Sequence, residues 1–570
     1  MTSALSPDAR AAALAAMTGA EGPGLDVLVV GGGVTGAGVA LDAVTRGLSC
    51  GLLEQRDLAS GTSSRSSKLL HGGLRYLELL HFGLVREALR ERGLLLTRLA
   101  PHLVRPVPFL YPLTSRRERP YVGAGMVLYD AMAGAGAAAG RHRVGVPRHR
   151  HLTRRQALAV VPALRPDSLT GAVQYYDCQV DDARHTLNVA RTAAHHGAHV
   201  ATRTRVTGFL RDGGRVTGVH AHDLETGQEL TVRARVVVNA AGVWTDEIQE
   251  MAGRGALEVR ASKGIHLVVP RERIPSSSGI ILRTSLSVLF VIPWGRHWIL
   301  GTTDTPWQLD KAHPAASRAD IDYLLDRVNQ VLREPLGHDD VVGVYAGLRP
   351  LLQGESESTS HISREHTVVT PVPGLVLVAG GKYTTYRVMA SDAVDAAAAD
   401  LDGEVPASIT DRVPLVGAEG FEARRNQKAA LAGSSGLSVS QVEHLLGRFG
   451  DLVDELLAMI GQDSGLGRPL PGAGDYLRAE VVYAVTHEGA RHLDDVLTRR
   501  TRISIETHDR GLAAARPAAE LMATALDWDD ARIDAEVDHY RRRVAAERDS
   551  QSHLTDREAH EARVRAPDRP

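Results

Sequence analysis

At 570 residues the chain holds enough material for about three to four domains, which excludes a small binding module. Hydrophobic residues at 43% and charged residues at 24% lie close to the globular average, so wholesale disorder is excluded too. A net charge of −2 gives no global field for a polyanion, and 4% aromatic residues against 56 glycines favour close backbone approach over the stacking platforms of single-strand nucleic-acid binders.

In chain order, residues 1–24 are Ala-rich and end in Glu-Gly-Pro-Gly, which reads as a flexible leader. Leu25–Val30 is a β-branched run ending in glycines, and Val34–Arg46 carries small and apolar residues at helical spacing. Gly47 stops that helix and Leu48–Leu53 is a second apolar strand, which closes a parallel βαβ unit of about 30 residues. Leu69–Leu99 is amphipathic and helical, and Pro101, Pro106, Pro108 and Pro112 then impose extended segments. A helix over 184–196 leads to strands at 198–203, 206–210, 215–222 and 233–239, and further strands follow at 264–269, 287–293, 298–301 and 374–381. After a helix over 385–399 the strand signal fades, and 422–546 reads as successive helices. The charged end, 546–570, reads as disordered. The pattern predicts an α/β fold in which a discontinuous, doubly wound dinucleotide domain (about 25–100, 180–255 and 340–405) is interleaved with a mostly β substrate domain (about 101–180 and 255–340). An all-α domain follows over 411–545.

The sharpest motif is Gly31-Gly-Gly33-Val-Thr35-Gly36 between strand and helix, with Glu54 about 20 residues further on. Its glycines serve a tight turn, a close approach to pyrophosphate and close helix–strand packing. The helix N-terminus suits phosphate, and Glu54 suits ribose hydroxyls. Position at the start of a long chain favours FAD over NAD. The run Ser60-Gly-Thr62-Ser63-Ser64-Arg-Ser-Ser67-Lys68, followed by Leu70 and His71-Gly72-Gly-Leu-Arg75-Tyr76, offers hydroxyl and cationic donors to the same ligand. Gly242 and Trp244 after a buried strand, Asp304, Arg349, and Gly381-Lys382-Tyr-Thr384-Thr385 all sit at strand ends, where α/β proteins place ligands. Cys50 and Cys178 are too few for a disulfide framework, no secretory signal precedes them, and a reducing cytoplasmic compartment is expected. No metal is expected.

These segments, with Tyr175–Arg184, Asn239–Trp244, Lys263–His266, Phe290–Trp294, Gly301–Asp304, Gly347–Leu351 and Asp494–Thr501, occur in an order that closely resembles the FAD-dependent, respiratory glycerol-3-phosphate dehydrogenases. The resemblance implies oxidation of sn-glycerol 3-phosphate at C2, hydride transfer to FAD and onward transfer of electrons to a membrane quinone. It further implies a substrate site of Arg75, Tyr76, His266, Arg349, Lys382 and Thr384. His266 is favoured as the base, with His71 as its rival and Arg349 as the third catalytic group. The implied FAD contacts are Gly31, Gly33, Thr35, Gly36, Glu54, Thr62, Ser63, Ser64, Ser67, Lys68, Leu70, Gly72, Gly242, Trp244, Asp304, Gly381, Lys382, Thr384 and Thr385.

A quinone lives in the bilayer, yet the sequence has no membrane span, so attachment is expected to be peripheral on the inner face of the cell membrane. The segment 103–155, with Phe109, Leu110, Tyr111 and Met126–Tyr129 beside Arg141, Arg143, Arg148, Arg150, Arg154 and Arg155, is the expected contact surface. A homodimer stays open. Two alternatives are an oxidase that passes electrons to oxygen and, more distantly, a flavin-dependent RNA-modifying protein, against which the neutral charge and scarce aromatics argue. No nucleic-acid partner is expected.

Overall fold

The computed structural model describes residues 3–19, 24–78, 80–115, 117–138, 145–253, 255–283, 288–352 and 366–567. In chain order, the elements that frame the site are α1 (Pro7–Thr18), β1 (Leu25–Val30), α2 (Val34–Thr45), β2 (Cys50–Leu53), α3 (Phe82–Leu94), β3 (Arg105–Leu113), α4 (Glu118–Ala138), β4 (Gly171–Gln179), α5 (Asp182–His195), β5 (His199–Ala201), β6 (Glu229–Asn239), β7 (Val259–Pro270), β8 (His297–Gly301), β9 (Gly343–Leu352), β10 (His366–Val372), β11 (Leu375–Gly380) and α6 (Tyr386–Ala398). The C-terminal region ends in α7 (Leu512–Leu526), α8 (Asp530–Ser550) and α9 (Asp556–Arg563).

The first sheet runs β10-β11-β6-β1-β2-β5, parallel from β11 to β5. Alternation along β1 decides what covers each face. Val27 and Val29 pack with Val39, Ala40 and Ala43 of α2, Val189 of α5 and Ala393 of α6. Leu25, Leu28 and Val30 face the other way, onto α1 and an antiparallel layer formed by Thr204–Asp212, Arg215–Asp223 and the first half of β6. The second sheet is mostly antiparallel and carries β3, β4, β7, β8 and β9. Strand β9, which sequence placed in the dinucleotide part, belongs here because it hydrogen-bonds along β7 from Val259↔Leu352 to Val268↔Gly343. The C-terminal region is helical apart from a short hairpin, Pro469–Leu470 with Ala473–Leu477.

Two expectations of disorder are corrected. The leader forms α1, capped by Ser6, with Ala13 and Met17 buried and Arg10 ion-paired to Asp223 at 2.5 Å. The charged tail continues α8 and then forms α9, whose capping box is Thr555 and Glu558 and whose Ala559 and Ala562 are fully buried. The membrane surface is corrected as well. Phe109, Leu110 and Tyr111 lie buried in β3, and Met126 and Tyr129 are buried on α4, leaving only Val127 and Leu128 of that group exposed. Arg141 and Arg143 lie outside the described residues. Among the described residues no helix is long and apolar enough to cross a membrane. Both cysteines are buried, and burial pushes each thiol up to about 12, so neither is poised to react.

The helical C-terminal region is fastened to the rest by buried ion pairs. Arg499 and Arg500 donate to Asp57 at 2.5 and 2.6 Å, Arg502 donates to Asp181 and Asp182 at 2.5 Å, and Glu488 accepts from Arg184.

Candidate active site

The first sheet and the second meet over a cavity of about 580 Å³, lined at one end by the β1–α2 turn and Glu54 and at the other by His266, Arg349 and Lys382. The turn exists because no side chain fits it. Gly31 sits at φ +113°, and a Cβ there would lie 2.7 Å from the Ala240 carbonyl oxygen. At Gly36 a Cβ would fall 1.9 Å from the Gly31 oxygen, so α2 can start this close to β1 only with glycine. Ser63 Oγ accepts from the Val34 N–H at 2.9 Å, which ties the Ser-rich turn to the helix start. Glu54 accepts from the N–H groups of Gly32 at 2.6 Å and Arg56 at 2.7 Å, and burial nonetheless raises its carboxyl above the usual range.

The reactive end is built on β7, β8 and β9. Register sets His266 between Gly301 on one side and Tyr345 on the other, and the imidazole stacks on the Tyr345 ring at 4.7 Å and 11°. A Cβ at Gly301 would meet the imidazole at 2.2 Å, so the ring occupies space a larger residue would fill. Its Nε2 lies 2.8 Å from Ser67 Oγ. Burial, then the Arg349 guanidinium, then Lys68 hold its pKa well below the ordinary value, so the ring is neutral at neutral pH. Two residues before it, Gly264 leaves room for Arg349, whose guanidinium donates to Thr302 Oγ1 at 3.1 Å and to the Thr303 carbonyl at 3.2 Å and faces Asp304 at 3.4 Å. Asp304 in turn accepts from Ser262. Across the cavity the Lys382 ammonium sits 3.7 Å over the Tyr76 ring.

The structure brings Gly31, Gly33, Thr35, Glu54, Thr62, Ser63, Ser67, His71, Tyr76, Gly242, Trp244, His266, Asp304, Arg349, Gly381 and Lys382 to one cavity wall. Other expected contacts do not line it, each for a visible reason. Gly36 is spent on helix–strand packing, and Leu70 is fully buried in the core. Lys68 turns inward, fully buried, to donate to Asp182 at 2.7 Å and to the Ser64 carbonyl at 3.0 Å, so neither Lys68 nor Ser64 presents its polar group to the cavity. The Gly72 N–H donates to Tyr129 Oη at 2.9 Å. Thr384 Oγ1 accepts from the His71 N–H at 3.3 Å, and Thr385 Oγ1 donates to the Lys382 carbonyl at 3.4 Å, so both shape the turn behind Lys382. Arg75 opens a short helix at Arg75–Glu78, and its side chain lies outside the described residues.

Sequence reasoning missed Tyr345 and Thr302, which fix His266 and Arg349, and Arg65, which lines the cavity. The first two follow only from strand register; Arg65 stands inside the Ser-rich run already singled out.

The cradle fits a dinucleotide: bare backbone at Gly31, Gly33 and Gly242, a helix N-terminus, and an elongated cavity with an acid at one end. Comparison with known proteins agrees. A family model described as FAD dependent oxidoreductase matches residues 26–391, and one described as the C-terminal domain of alpha-glycerophosphate oxidase matches 408–533. The chain is 57% identical over 545 residues to glycerol-3-phosphate dehydrogenase 2 of Mycobacterium tuberculosis, covering 95% of this chain and 92% of that protein. It is 56% identical to the glycerol-3-phosphate dehydrogenase of Mycobacterium leprae, covering 99% and 95%. The crystal structure of glycerol-3-phosphate dehydrogenase from Bacillus halodurans, complexed with FAD, superposes with a TM-score of 0.77 at 30% identity, covering 95% of this chain and 97% of that one. The cofactor is FAD, and the chain belongs to the FAD-dependent glycerol-3-phosphate dehydrogenase family.

Proposed function

We propose that the protein oxidises sn-glycerol 3-phosphate to dihydroxyacetone phosphate and passes the electrons to a membrane quinone. The observation that carries this reading is the meeting, in one cavity with the FAD cradle, of two cations and a neutral imidazole: Arg349, Lys382 and His266. FAD supplies the hydride acceptor for C2. The chain's own residues do the rest. Arg349, immobilised by Thr302, Thr303 and Asp304, presents a planar fork suited to phosphate oxygens, and Lys382 adds a second cation from the facing wall. The Tyr345 stack and Ser67 fix the ring of His266, which takes the C2 hydroxyl proton at Nε2. A phosphate dianion at Arg349 offsets one of the charges that hold the imidazole pKa down, so substrate binding itself strengthens the base.

The quinone acceptor draws support from an exposed apolar patch near the cavity mouth. Leu80, 70% exposed, and Phe82 flank His81, a cavity-lining residue, and Tyr121, Val127 and Leu128 are exposed on α4, which packs against α3. This patch takes the place of the segment favoured from sequence as the surface for peripheral attachment. Anaerobic addition of glycerol 3-phosphate to the purified holoenzyme tests the core of the proposal: the visible flavin band bleaches, and an unchanged band refutes it. Aerobic turnover without stoichiometric peroxide supports the quinone over oxygen, and flotation with anionic liposomes reads the membrane contact.

A further inference from the structure

A second crevice of about 80 Å³ opens where the C-terminal helices meet the Ser-rich turn and β9. Its ionisable wall is lopsided. Arg65, Arg499, Arg502, Arg543 and Arg563 line it, and Glu547 is the single carboxylate among them. Two of these cations are matched by acids behind the wall, Arg499 by Asp57 and Asp495 and Arg502 by Asp181 and Asp182. On the crevice side, Arg543 and Arg563 both reach Glu547, at 3.0 and 3.6 Å, and Asp494 is shared between Arg499 and Arg543. One carboxylate therefore faces a group of guanidiniums. Its pKa shows the same imbalance: burial would raise Glu547, yet Arg543, Arg563, Arg510 and Arg65 hold it down at about 2.

We propose that this crevice is a second anion site, separate from the FAD cavity, that takes a tetrahedral oxyanion of phosphate size. Planar guanidiniums at low exposure are the groups that bind such ions best, because each offers paired N–H donors to two oxygens and is weakly hydrated. The volume suits inorganic phosphate and excludes a nucleotide. The same chemistry could come from free phosphate or from the phosphate end of the substrate. The site also stands close to the reacting groups. Tyr345, which stacks on His266, forms part of its wall, and Arg65 lines both the crevice and the FAD cavity. The wall further needs the ordered tail, since Arg563 comes from α9.

The test uses full-length holoenzyme and inorganic phosphate in a calorimetric titration, with and without saturating glycerol 3-phosphate. The expected result is phosphate binding that persists under saturating glycerol 3-phosphate and weakens at least tenfold in both Arg563→Met and Arg543→Gln. Neither side chain touches the FAD cavity, so glycerol 3-phosphate should still bleach the flavin in both variants. Binding displaced completely by glycerol 3-phosphate, or unaltered by both substitutions, overturns the proposal. Phosphate retained in the crevice of an enzyme whose flavin is not bleached by glycerol 3-phosphate would support this site while refuting the proposed substrate. Should either variant unfold, anomalous diffraction from wild-type crystals soaked in selenate gives the same answer: a peak between Arg543 and Arg563 supports the site, and peaks only elsewhere overturn it.

Discussion

Arg502 is the side chain through which the C-terminal region reaches the catalytic imidazole, and Arg502→Met tests that link. The guanidinium is 3% exposed and donates to Asp181 and Asp182 at 2.5 Å and to the Ser64 carbonyl at 3.2 Å. Asp182 in turn accepts from the Ser66 N–H at 2.9 Å, from Ser66 Oγ at 2.7 Å and from Lys68. The next residue in that turn is Ser67, which meets His266, and Tyr345 Oη donates to the Ser66 carbonyl at 3.0 Å while its ring supports the imidazole. Methionine fills much of the volume but leaves two buried carboxylates short of a cation, Asp182 with Lys68 and Asp181 with Arg448 at 3.7 Å. Removing one partner of a buried pair costs about 3–5 kcal/mol, so the melting temperature of the holoenzyme should fall by several degrees. Flavin reduction by glycerol 3-phosphate should slow about tenfold, the scale of a misplaced base, with FAD still bound. Arg502→Lys keeps the charge and loses the fork, and should fall between the two. A variant that melts within one degree of wild type and bleaches at the same rate would refute the argument that this domain positions the base.

Other substitutions probe the site directly. His266→Ala should retain FAD and slow flavin reduction by about 10²-fold, measured by stopped flow; an unchanged rate would move the base to His71. Gly264→Ala places a Cβ 2.5 Å from Thr302 Oγ1 and 2.6 Å from Arg349 Nη2, so KM for glycerol 3-phosphate should rise about tenfold with little change in bound FAD. Equal loss of both would point to misfolding instead. His492, held between Glu225 at 3.2 Å and Glu536 at 3.0 Å, has its pKa raised to about 9 by those partners against the opposing effect of burial. A folded pKa above the unfolded value of about 6.5 means its contribution is complete below that pH and is lost as pH rises through about 9. Wild type should lose on the order of 3 kcal/mol of stability across that window relative to His492→Gln, read from denaturant midpoints, and parallel curves would contradict the assignment.

The features legible in the sequence were those set by local sterics. A strand that must turn within three residues and start a helix needs glycine at Gly31 and Gly36, and both positions are closed to a Cβ by backbone atoms nearby in the chain or in the neighbouring strand. The misreadings all concern what distant surfaces supply. Lys68 looked like a phosphate ligand because its run is full of donors, but the carboxylate that claims it stands 114 residues away at the start of α5. Tyr345 gave no local sign of supporting His266, because the pairing of β7 with β9 decides it. The leader and tail looked unfoldable because they own so few large apolar groups, which is a sound inference only for a segment that must build its own core. Here the core already exists. Helix α1 needs to bury only Ala13 and Met17 against the sheet, and α9 only two alanines. Charge does the rest: Arg10 meets Asp223, and the buried Lys263 ammonium, which already holds Asp320, reaches Asp556 at 2.5 Å. Composition therefore underestimates order wherever the receiving surface carries the apolar area and an ion partner in advance, and a docked helix of small and charged residues is what such a surface selects.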